Sequence, residues 1–454
     1  MVESFTNSDV VVIGAGAAGL MAAGRAAECG ASVVVLEKTD GPGKKILVSG
    51  KSRCNLTNSA DRNAFLAMYG PNGRFLHGAF SRFFRPELLA FFEWQGLKTK
   101  LERGGRIFPV SDDARDVVGA FERYLSRGGV RTVFNAKVEA IRAGDAGFVV
   151  QTARGDFSGR TVVIATGGAS WPKTGSTGDG YAFARSLGHR LVPLRPALVP
   201  LVVKEAALAK SMQGVSLRNV RATALSGSAD TIDVKVVPAA DYGRGEKKKP
   251  RPPVLESRFG EMLFTHFGLG GPIILLMSLA VAQALEAGPV CLLIDLKPAV
   301  ARDELRKRLL IDLNASGKRK MSTLLKAYLP AKMIEPVMDL AVIDSNCPAH
   351  QITAVQREKL LDTLKALRFN IHGTLPLSRA IVTAGGVALE EINPKTLASK
   401  IVPGIYFCGE VLDIDADTGG YNLQAAFSTG YVAGESAARL VLPGCCARSA
   451  PDEG

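Results

Sequence analysis

The chain has 454 residues, of which 47% are hydrophobic and 48 are glycines, and its formal net charge is +13 at pH 7. This length exceeds the usual size of a single hydrophobic core and predicts two or three domains of an α/β globular protein. The mostly polar first eight residues argue against a secretory signal, and a Gly-Gly-Pro interruption of the apolar run at residues 268–284 argues against a membrane-spanning helix.

Cysteine usage and charge add two expectations. Seven cysteines, an odd number without framework spacing, predict free thiols in a reducing compartment, so we expect a cytoplasmic protein. A net positive charge favours anionic partners such as nucleic acid. Much of it lies at residues 299–332, where nine Lys or Arg residues stand against three acidic ones. A solvated helix face is the alternative interpretation of that segment.

The first motif joins a buried strand to a helix. Residues 10–13 are apolar, and Gly14, Gly16 and Gly19 follow in the spacing G-x-G-x-x-G. Gly14 permits the tight turn, Gly16 lets a pyrophosphate approach the backbone, and Gly19 lets the helix pack on the strand. A second strand ends in Glu37, which can accept both hydroxyls of an adenosine ribose. The sequence therefore predicts a dinucleotide site here.

The following elements are predicted in chain order. They are a basic loop (43–55), an aromatic helical segment (65–95), a hairpin (98–110), a helix (117–125) and a series of strands, of which the last enters a glycine turn (161–168). After a boundary near residues 192–196 we expect strands, a basic excursion (241–258), an apolar helix and a long helical stretch (303–367).

The C-terminal part returns to the opening pattern. A strand at residues 404–410 precedes the glycine turn of residues 418–424, which begins a small-residue helix. A glycine turn at a helix start directs N–H groups towards an electron-rich ligand. A dinucleotide with a redox ring would thus be held at both ends, the adenosine diphosphate by the first motif and the ring by the last helix.

Five segments resemble the bacterial BaiN/RdsA-like flavoproteins. They are residues 43–50 with 53–58, 165–168, 264–266, 409–413 and 418–424, and the resemblance extends over residues 10–434. It implies FAD, a Rossmann-type domain formed by both chain ends (1–194 and 373–440), an inserted β-rich domain (195–300), a basic helical subdomain (301–372) and a flexible tail (441–454). The chain departs from many relatives at Lys51 and Ser52, where glycines are common, and at Gly270, where serine is common.

Motif and resemblance together predict the residues that contact FAD. They are Gly14, Gly16, Ala17, Ala18, Gly19, Glu37, Lys38, Lys45, Ile46, Ser49, Gly50, Arg53, Cys54, Asn55, Val138, Thr166, Gly167, Gly168, Gly409, Glu410, Asp413, Gly419, Gly420, Tyr421, Asn422, Leu423 and Gln424. No metal site is predicted.

Members of the family are associated with reduction of a uridine in large-subunit ribosomal RNA to dihydrouridine, with oxidation of a small aminoketone, and with bile-acid metabolism. Our first hypothesis is an NAD(P)H-dependent flavin reductase that binds ribosomal RNA through the basic insert. Hydride transfer to C6 of uracil would need a proton donor for C5. Cys54 is the first candidate and His266 the second, although inert packing and a structural histidine are the respective alternatives.

Two other functions are compatible with the motifs. A flavin oxidase of a small amine or aminoketone would pass electrons to oxygen and would not need RNA. An RNA-binding or assembly protein with a structural FAD would bind RNA without being reduced by NAD(P)H. No second nucleotide fingerprint or C-x-x-C pair is present, which argues only against the disulfide reductases with two nucleotide domains.

Overall fold

The structure is a computed structural model that describes residues 6–144, 146–232, 241–246 and 252–442. It contains two compact units, one built from the residues up to Arg195 together with those from Ile381 on, and the other from Pro196–Ala380. Residues 247–251 of the predicted basic excursion and residues 443–454 of the predicted tail lie outside the described residues.

The strands, in chain order, are β1 (Thr6–Ile13), β2 (Val33–Leu36), β3 (Thr57–Asn58), β4 (Thr99–Glu102), β5 (Arg106–Pro109), β6 (Arg131–Val133), β7 (Val138–Gly144), β8 (Gly147–Thr152), β9 (Gly155–Ile164), β10 (Leu191–Ala197), β11 (Leu201–Val203), β12 (Ser216–Ser226), β13 (Val254–Phe264), β14 (Gly268–Gly270), β15 (Val290–Asp295), β16 (Leu367–Thr374), β17 (Val382–Val387) and β18 (Ile405–Phe407).

The α-helices are α1 (Ala17–Glu28), α2 (Lys44–Val48), α3 (Arg62–Ala67), α4 (His77–Arg82), α5 (Arg85–Trp94), α6 (Ala114–Arg127), α7 (Asp179–Ser186), α8 (Ala206–Ser211), α9 (Pro272–Leu285), α10 (Arg302–Ser316), α11 (Met321–Leu324), α12 (Ala331–Leu340), α13 (Ala354–Lys365) and α14 (Tyr421–Val441). None of these helices is long and apolar enough to cross a membrane.

The first unit is organised around a seven-stranded sheet in the order β6-β2-β1-β9-β8-β7, with β18 paired to β9. β6, β2, β1, β9 and β18 run parallel, and β8 pairs antiparallel with both β9 and β7. Ile13 pairs with both Leu36 and Ile164. The segments after β1, β2 and β9 therefore leave the sheet at one edge, which is where open α/β sheets bind ligands.

Two helices from opposite ends of the chain pack closely in this unit. A Cβ added to Gly430 of α14 would lie 2.3 Å from the carbonyl oxygen of Ala18 in α1, and one added to Gly434 would lie 2.1 Å from that of Ala22. Both pairs advance by four residues, so the two helices run in the same direction with their backbones in contact. Glycine is required at these positions because any side chain would separate the helices.

The second unit contains a closed barrel with the strand order β11-β14-β13-β12-β15-β16. The helices of the 303–367 stretch pack with it, since Leu309 of α10, Leu360 of α13 and Phe369 of β16 are fully buried in one continuous hydrophobic cluster. The predicted α/β class, with a Rossmann-type domain made from both chain ends, a β-rich insertion and a helical part, is confirmed.

The close contact between α1 and α14 predicts whether one substitution stabilises or destabilises the protein. Gly430→Ala should lower the free energy of unfolding by about 1–3 kcal/mol because of the clash with the Ala18 carbonyl, whereas helix propensity alone would raise it by about 1 kcal/mol. Gly119→Ala in α6 is the matched control, because its Cβ would meet only Arg123 Nη1 at 3.4 Å. Chemical denaturation followed by circular dichroism measures both. A stabilised Gly430→Ala variant would contradict the close crossing.

Candidate active site

The three glycines of the first motif occupy three different environments. A Cβ on Gly14 would lie 2.6 Å from the Ala165 carbonyl oxygen, and one on Gly19 would lie 1.9 Å from the Gly14 carbonyl oxygen. A Cβ on Gly16 would meet no atom within 4 Å. The outer glycines are therefore closed by packing, while the middle one borders open space at the N-terminus of α1, the position at which a pyrophosphate is expected.

Glu37 is oriented by the same turn. Its Oε2 accepts a hydrogen bond from the Ala15 N–H and its Oε1 accepts one from the Thr39 N–H, both at 2.8 Å. The residue is 9% exposed. The carboxylate thus holds the glycine turn against the end of β2, in addition to the ribose contact that stays a prediction.

The N-termini of α1 and α14 point in the same direction but are not level. α1 begins one residue before its contact residue Ala18, whereas α14 begins nine residues before Gly430. At 1.5 Å per residue, the start of α14 lies about 12 Å beyond the start of α1. Two parallel helix ends offset by this distance suit a ligand with an extended body and anionic or electron-rich groups at two points.

Ala17, Ala18, Lys38 and Val138 are four further residues that the sequence predicts to contact FAD. Ala17 and Ala18 form the first turn of α1 behind Gly16, and Val138 is buried at the start of β7. Lys38 Nζ lies 2.6 Å from Asp179 Oδ2 and also contacts Thr177. The lysine therefore ties the end of β2 to the start of α7.

The turn after β9 packs tightly against its neighbours. Thr166 Oγ1 is buried without a hydrogen-bond partner among the described residues. Gly167 precedes Gly168, at which a Cβ would lie 2.5 Å from Thr383 Oγ1 and 2.9 Å from Glu410 Oε1. The glycine turn thereby admits the side chains of two later segments.

Lys45 and Glu410 are the centre of a polar network. Lys45 Nζ lies 2.6 Å from Glu410 Oε2 and donates to Ser170 Oγ at 2.8 Å. Glu410 Oε1 accepts from the Thr383 N–H at 2.8 Å and from Ser170 Oγ at 3.0 Å. Ser170 and Thr383, both fully buried, were missed by sequence reasoning. Ser170 could have been found from its position two residues after Gly168. No sequence signal indicated Thr383.

The predicted basic loop contains a short helix and then an unusual backbone. Ile46 of α2 is buried, and its carbonyl accepts from Ser49 Oγ at 2.7 Å. Gly50, Lys51 and Ser52 have φ angles of +56°, +59° and +64°. Left-handed conformations at non-glycine residues each cost on the order of 1 kcal/mol and often occur at functional sites. The surrounding structure must hold this segment in place.

Arg53 points towards the β4–β5 hairpin. Its guanidinium lies 2.8 Å and 3.2 Å from the two Glu102 carboxylate oxygens and 3.1 Å from Asp112 Oδ1. It also stacks over Phe108, 4.1 Å from the ring centroid. Arg53 therefore holds the left-handed segment against the hairpin. The predicted contact of Arg53 with the cofactor stays a prediction.

Cys54 and Asn55 differ in what they offer a ligand. Cys54 is fully buried, and this burial raises the pKa of its thiol to about 12. The thiol is thus protonated at neutral pH but shielded from solvent, which weighs against its predicted role as a proton donor. Asn55 Oδ1 is buried with no hydrogen-bond partner among the described residues. Within residues 50–55 it is the buried side-chain polar atom without a partner, so it can accept a hydrogen bond from a ligand.

The segment after β18 is also fixed by close contacts. A Cβ on Gly409 would lie 2.8 Å from the Ala18 Cβ, and the Gly409 N–H donates to Thr429 Oγ1 at 3.0 Å. Asn72 Nδ2 donates hydrogen bonds to the Asp413 carbonyl oxygen at 2.7 Å and to Asp413 Oδ2 at 3.1 Å. Burial raises the pKa of the Asp413 carboxyl.

The side chains at the start of α14 are occupied by structural contacts. Asn422 Oδ1 accepts from the Ala416 N–H at 2.9 Å, and the fully buried Gln424 accepts from Thr57 Oγ1 at 2.6 Å. A Cβ on Gly420 would lie 2.4 Å from the Thr57 carbonyl oxygen. The remaining predicted residues here are Gly419, Tyr421 and Leu423, of which Tyr421 is buried. What the segment can present to a ligand is mainly its backbone N–H groups.

His266 belongs to the second unit. It lies in the turn between β13 and β14, is exposed, and its ring meets that of Phe267 edge-on at a centroid distance of 4.9 Å. The two predicted proton donors thus lie in different units. The role of His266 stays a prediction.

The residues of the first unit fit FAD. The open position at Gly16 can admit a pyrophosphate, the offset ends of α1 and α14 match a long dinucleotide, and the buried Asn55 Oδ1 can accept a hydrogen bond from a ring N–H.

The glycine environment predicts a loss of cofactor. Gly16→Val should weaken FAD binding by on the order of a hundredfold, about 3 kcal/mol, because the side chain would fill the open position. The flavin absorbance of the purified protein measures it. Gly288→Val is the matched control, because a Cβ at Gly288 also meets nothing within 4 Å but lies in the second unit. A fully flavinated Gly16→Val variant would refute the placement.

The burial of Cys54 predicts its reactivity. At about pH 8 iodoacetamide should leave Cys54 unmodified in the folded protein, because the raised pKa keeps the thiol protonated and shielded. The half-buried Cys347 serves as an internal comparison, and peptide mass spectrometry after labelling measures both. Labelling of Cys54 as fast as Cys347 would contradict the burial. Undiminished product formation by Cys54→Ala would remove the thiol from the chemistry.

Comparisons with known proteins agree with this architecture. The model of the HI0933-like protein Rossmann domain matches residues 8–436. The chain is 36% identical over 431 residues to the 3-dehydro-bile acid delta(4,6)-reductase of Clostridium scindens. This match covers 94% of this chain and 98% of the relative.

Two further relatives are ribosomal RNA dihydrouridine synthases. The one from Haemophilus influenzae is 29% identical over 437 residues, covering 95% of this chain and 99% of the relative. The one from Escherichia coli is 29% identical over 429 residues, covering 93% and 96% respectively. The chain belongs to the HI0933-like Rossmann family of flavin-dependent oxidoreductases.

Proposed function

We propose that this protein uses NAD(P)H to reduce a carbon–carbon double bond conjugated to a carbonyl, and that its substrate is a uridine in large-subunit ribosomal RNA. The observation that carries the proposal is the offset pair of parallel helix ends, with the open Gly16 position at one end and the glycine turn of α14 at the other. This arrangement suits a dinucleotide cofactor whose redox ring lies beside the start of α14.

The relatives' names describe related chemistry. A dihydrouridine synthase saturates the C5–C6 bond of uracil, which is conjugated to a ring carbonyl. A delta(4,6)-reductase of a 3-dehydro-bile acid acts on double bonds conjugated to a ketone. Both reactions add a hydride to one carbon of the double bond and a proton to the other. This shared reaction supports an unsaturated carbonyl as the substrate class of the present chain.

The overall reaction is uridine plus NAD(P)H plus a proton, giving dihydrouridine plus NAD(P)⁺. Bound flavin, once reduced by NAD(P)H, would supply the hydride for C6 of the uracil. In this proposal Gly14 forms the tight turn, Gly16 and the first turn of α1 bind the pyrophosphate, and Glu37 binds the ribose. Asn55 and the N–H groups at the start of α14 orient the ring.

The Lys45–Glu410 network has a positioning role in this proposal. The ammonium and the carboxylate join α2, the β9 turn, β17 and the segment after β18 through hydrogen bonds of 2.6–3.0 Å. These are the segments that border the expected ring site. Because each polar atom of the network has a partner, the segments are held without a cost in unsatisfied hydrogen bonds.

The net charge of +13 supports an RNA substrate. Part of the positive charge of the insert is paired with acidic residues. Arg302 and Arg306 form ion pairs with Glu358 of α13, and Arg308 pairs with Glu304. Their charge is locally compensated.

Other cations of the insert remain for RNA. Lys307, Lys318 and Arg319 are exposed, and no acidic group of the described residues lies within ion-pair distance of them. We propose that these three side chains are the part of the insert that contacts RNA phosphates.

A second candidate is the reduction of a small unsaturated ketone. The observation that favours it is the higher identity, 36% against 29%, to the bile-acid reductase. Such a substrate would not need the uncompensated cations described above.

Mass spectrometry of ribosomal RNA from a strain lacking this gene tests the proposal. We expect one large-subunit uridine to lose the two additional hydrogens of dihydrouridine and to regain them with the wild-type gene. Complementation with Gly16→Val should fail, because FAD binding is lost, while Gly288→Val should succeed. Unchanged ribosomal RNA in the deletion strain would contradict an RNA substrate and would favour the small ketone.

A further inference from the structure

The hairpin of β4 and β5 presents a basic turn in the first unit. Glu102 pairs with Arg106 across the hairpin, so Arg103, Gly104 and Gly105 form its tip. Arg103 and Arg106 are exposed. Arg106 Nε donates to the Arg103 carbonyl at 3.1 Å, which fixes the spacing of the two arginines.

Asn58 attaches this tip to the start of α14. Its Nδ2 donates to the Gly104 carbonyl at 3.1 Å and to the Gly419 carbonyl at 3.0 Å. The Ser59 N–H donates to the Gly105 carbonyl at 2.7 Å. Asn58 is 4% exposed, so the bonds are shielded from water. The hairpin tip is therefore held beside the glycine turn at which α14 begins.

The acidic residues near the hairpin are already paired. Glu102 and Asp112 both contact Arg53, and Asp112 Oδ2 lies 2.5 Å from Lys100 Nζ. Within the part of the chain that the structure describes, no carboxylate lies within 4 Å of the charged groups of Arg103 or Arg106. The two arginines thus carry uncompensated charge.

Lys51 adds a third exposed cation of the same kind. It lies in the left-handed segment that precedes Arg53, and it also has no acidic partner among the described residues. Two residues later, Arg53 joins this segment to Glu102 of the hairpin, so we group Lys51 with the two hairpin arginines. We call Lys51, Arg103 and Arg106 the hairpin cations.

We propose that the hairpin cations bind phosphate groups of the RNA substrate next to the nucleotide that is reduced. This inference rests on the proposed function. It places an RNA contact on the first unit, which holds the expected ring site. This contact is additional to the RNA contact of the basic insert, which was predicted from composition. Arginine suits this role because its planar guanidinium can donate two parallel hydrogen bonds to one phosphate.

The location beside α14 has a physical reason. A base within folded RNA reaches a buried redox ring only when it leaves its stack, which costs a few kcal/mol. Phosphate contacts close to the reaction site can offset that cost for the reacting nucleotide itself. Contacts on a remote surface would only raise the general affinity for RNA.

The test uses the full-length flavinated protein and a fluorescein-labelled oligouridylate of about twenty nucleotides, titrated at several KCl concentrations. Arg103→Gln/Arg106→Gln should weaken binding about tenfold and reduce the slope of log K against log salt by about 1.4, the value for two lost single-strand phosphate contacts. The flavin content and the melting temperature should stay at the wild-type values. Arg142→Gln/Arg185→Gln, two exposed arginines elsewhere in the same unit, is the matched control and should bind like wild type.

The other outcomes separate a failure of this inference from a failure of the proposed function. Unchanged affinity and salt slope in the hairpin variant, with clear binding by wild type, would overturn this inference and leave the proposed function intact. No RNA binding by wild type would refute the RNA substrate itself. A hairpin variant that loses flavin, or that loses affinity for NAD(P)H rather than RNA, would show that the arginines serve the fold or the nicotinamide nucleotide and would overturn the inference.

Discussion

The backbone contact between α1 and α14 is the constraint on which the candidate site depends. Gly430 and Gly434 let two helices from opposite chain ends touch along one full turn in the same direction. Their N-termini therefore face the same side at different heights, and the sheet edge beside them receives the turns after β1, β2 and β9. A ligand with two separated polar parts follows from this geometry before any side chain is considered.

Side chains then fix the loops around those helix ends. Lys45 and Glu410 connect segments that are far apart in sequence, and Arg53 holds the left-handed segment against the hairpin. Strain of this kind persists only where neighbouring contacts outweigh it. The same ion pair joins the segment that contains Lys51 to the hairpin that contains Arg103 and Arg106. Contacts that order the expected ring site thus also hold two positively charged segments.

Features with a local sequence signal were predicted correctly. The spacing of Gly14, Gly16 and Gly19 predicted which glycine would border open space, and the Arg-Gly-Gly-Arg centre of residues 98–110 predicted the hairpin that β4 and β5 form. The resemblance also marked Lys51 and Ser52 as departures from glycine. The structure explains this, because both residues have the left-handed backbone that glycine adopts without cost.

Features that depend on distant partners were not predictable. Ser170 bonds to Thr383, which is 213 residues away, and Arg53 bonds to Glu102, which is 49 residues away. No periodicity or motif encodes such pairs. The part of the insert's positive charge that is paired could not be predicted for the same reason, since Arg306 and its partner Glu358 are 52 residues apart. The burial of Cys54 likewise results from packing that a residue type in a loop does not reveal.

The most direct test of the central claim is an anaerobic mixing experiment. The purified flavoprotein is reduced with NADPH and mixed with large-subunit ribosomal RNA from a strain that lacks this gene, while flavin absorbance is recorded and the RNA is then analysed by mass spectrometry. We predict that the flavin is reoxidised and that one uridine gains two hydrogens, and that fully modified RNA has neither effect. A flavin that stays reduced with unmodified RNA but is reoxidised by an unsaturated ketone would contradict the proposal.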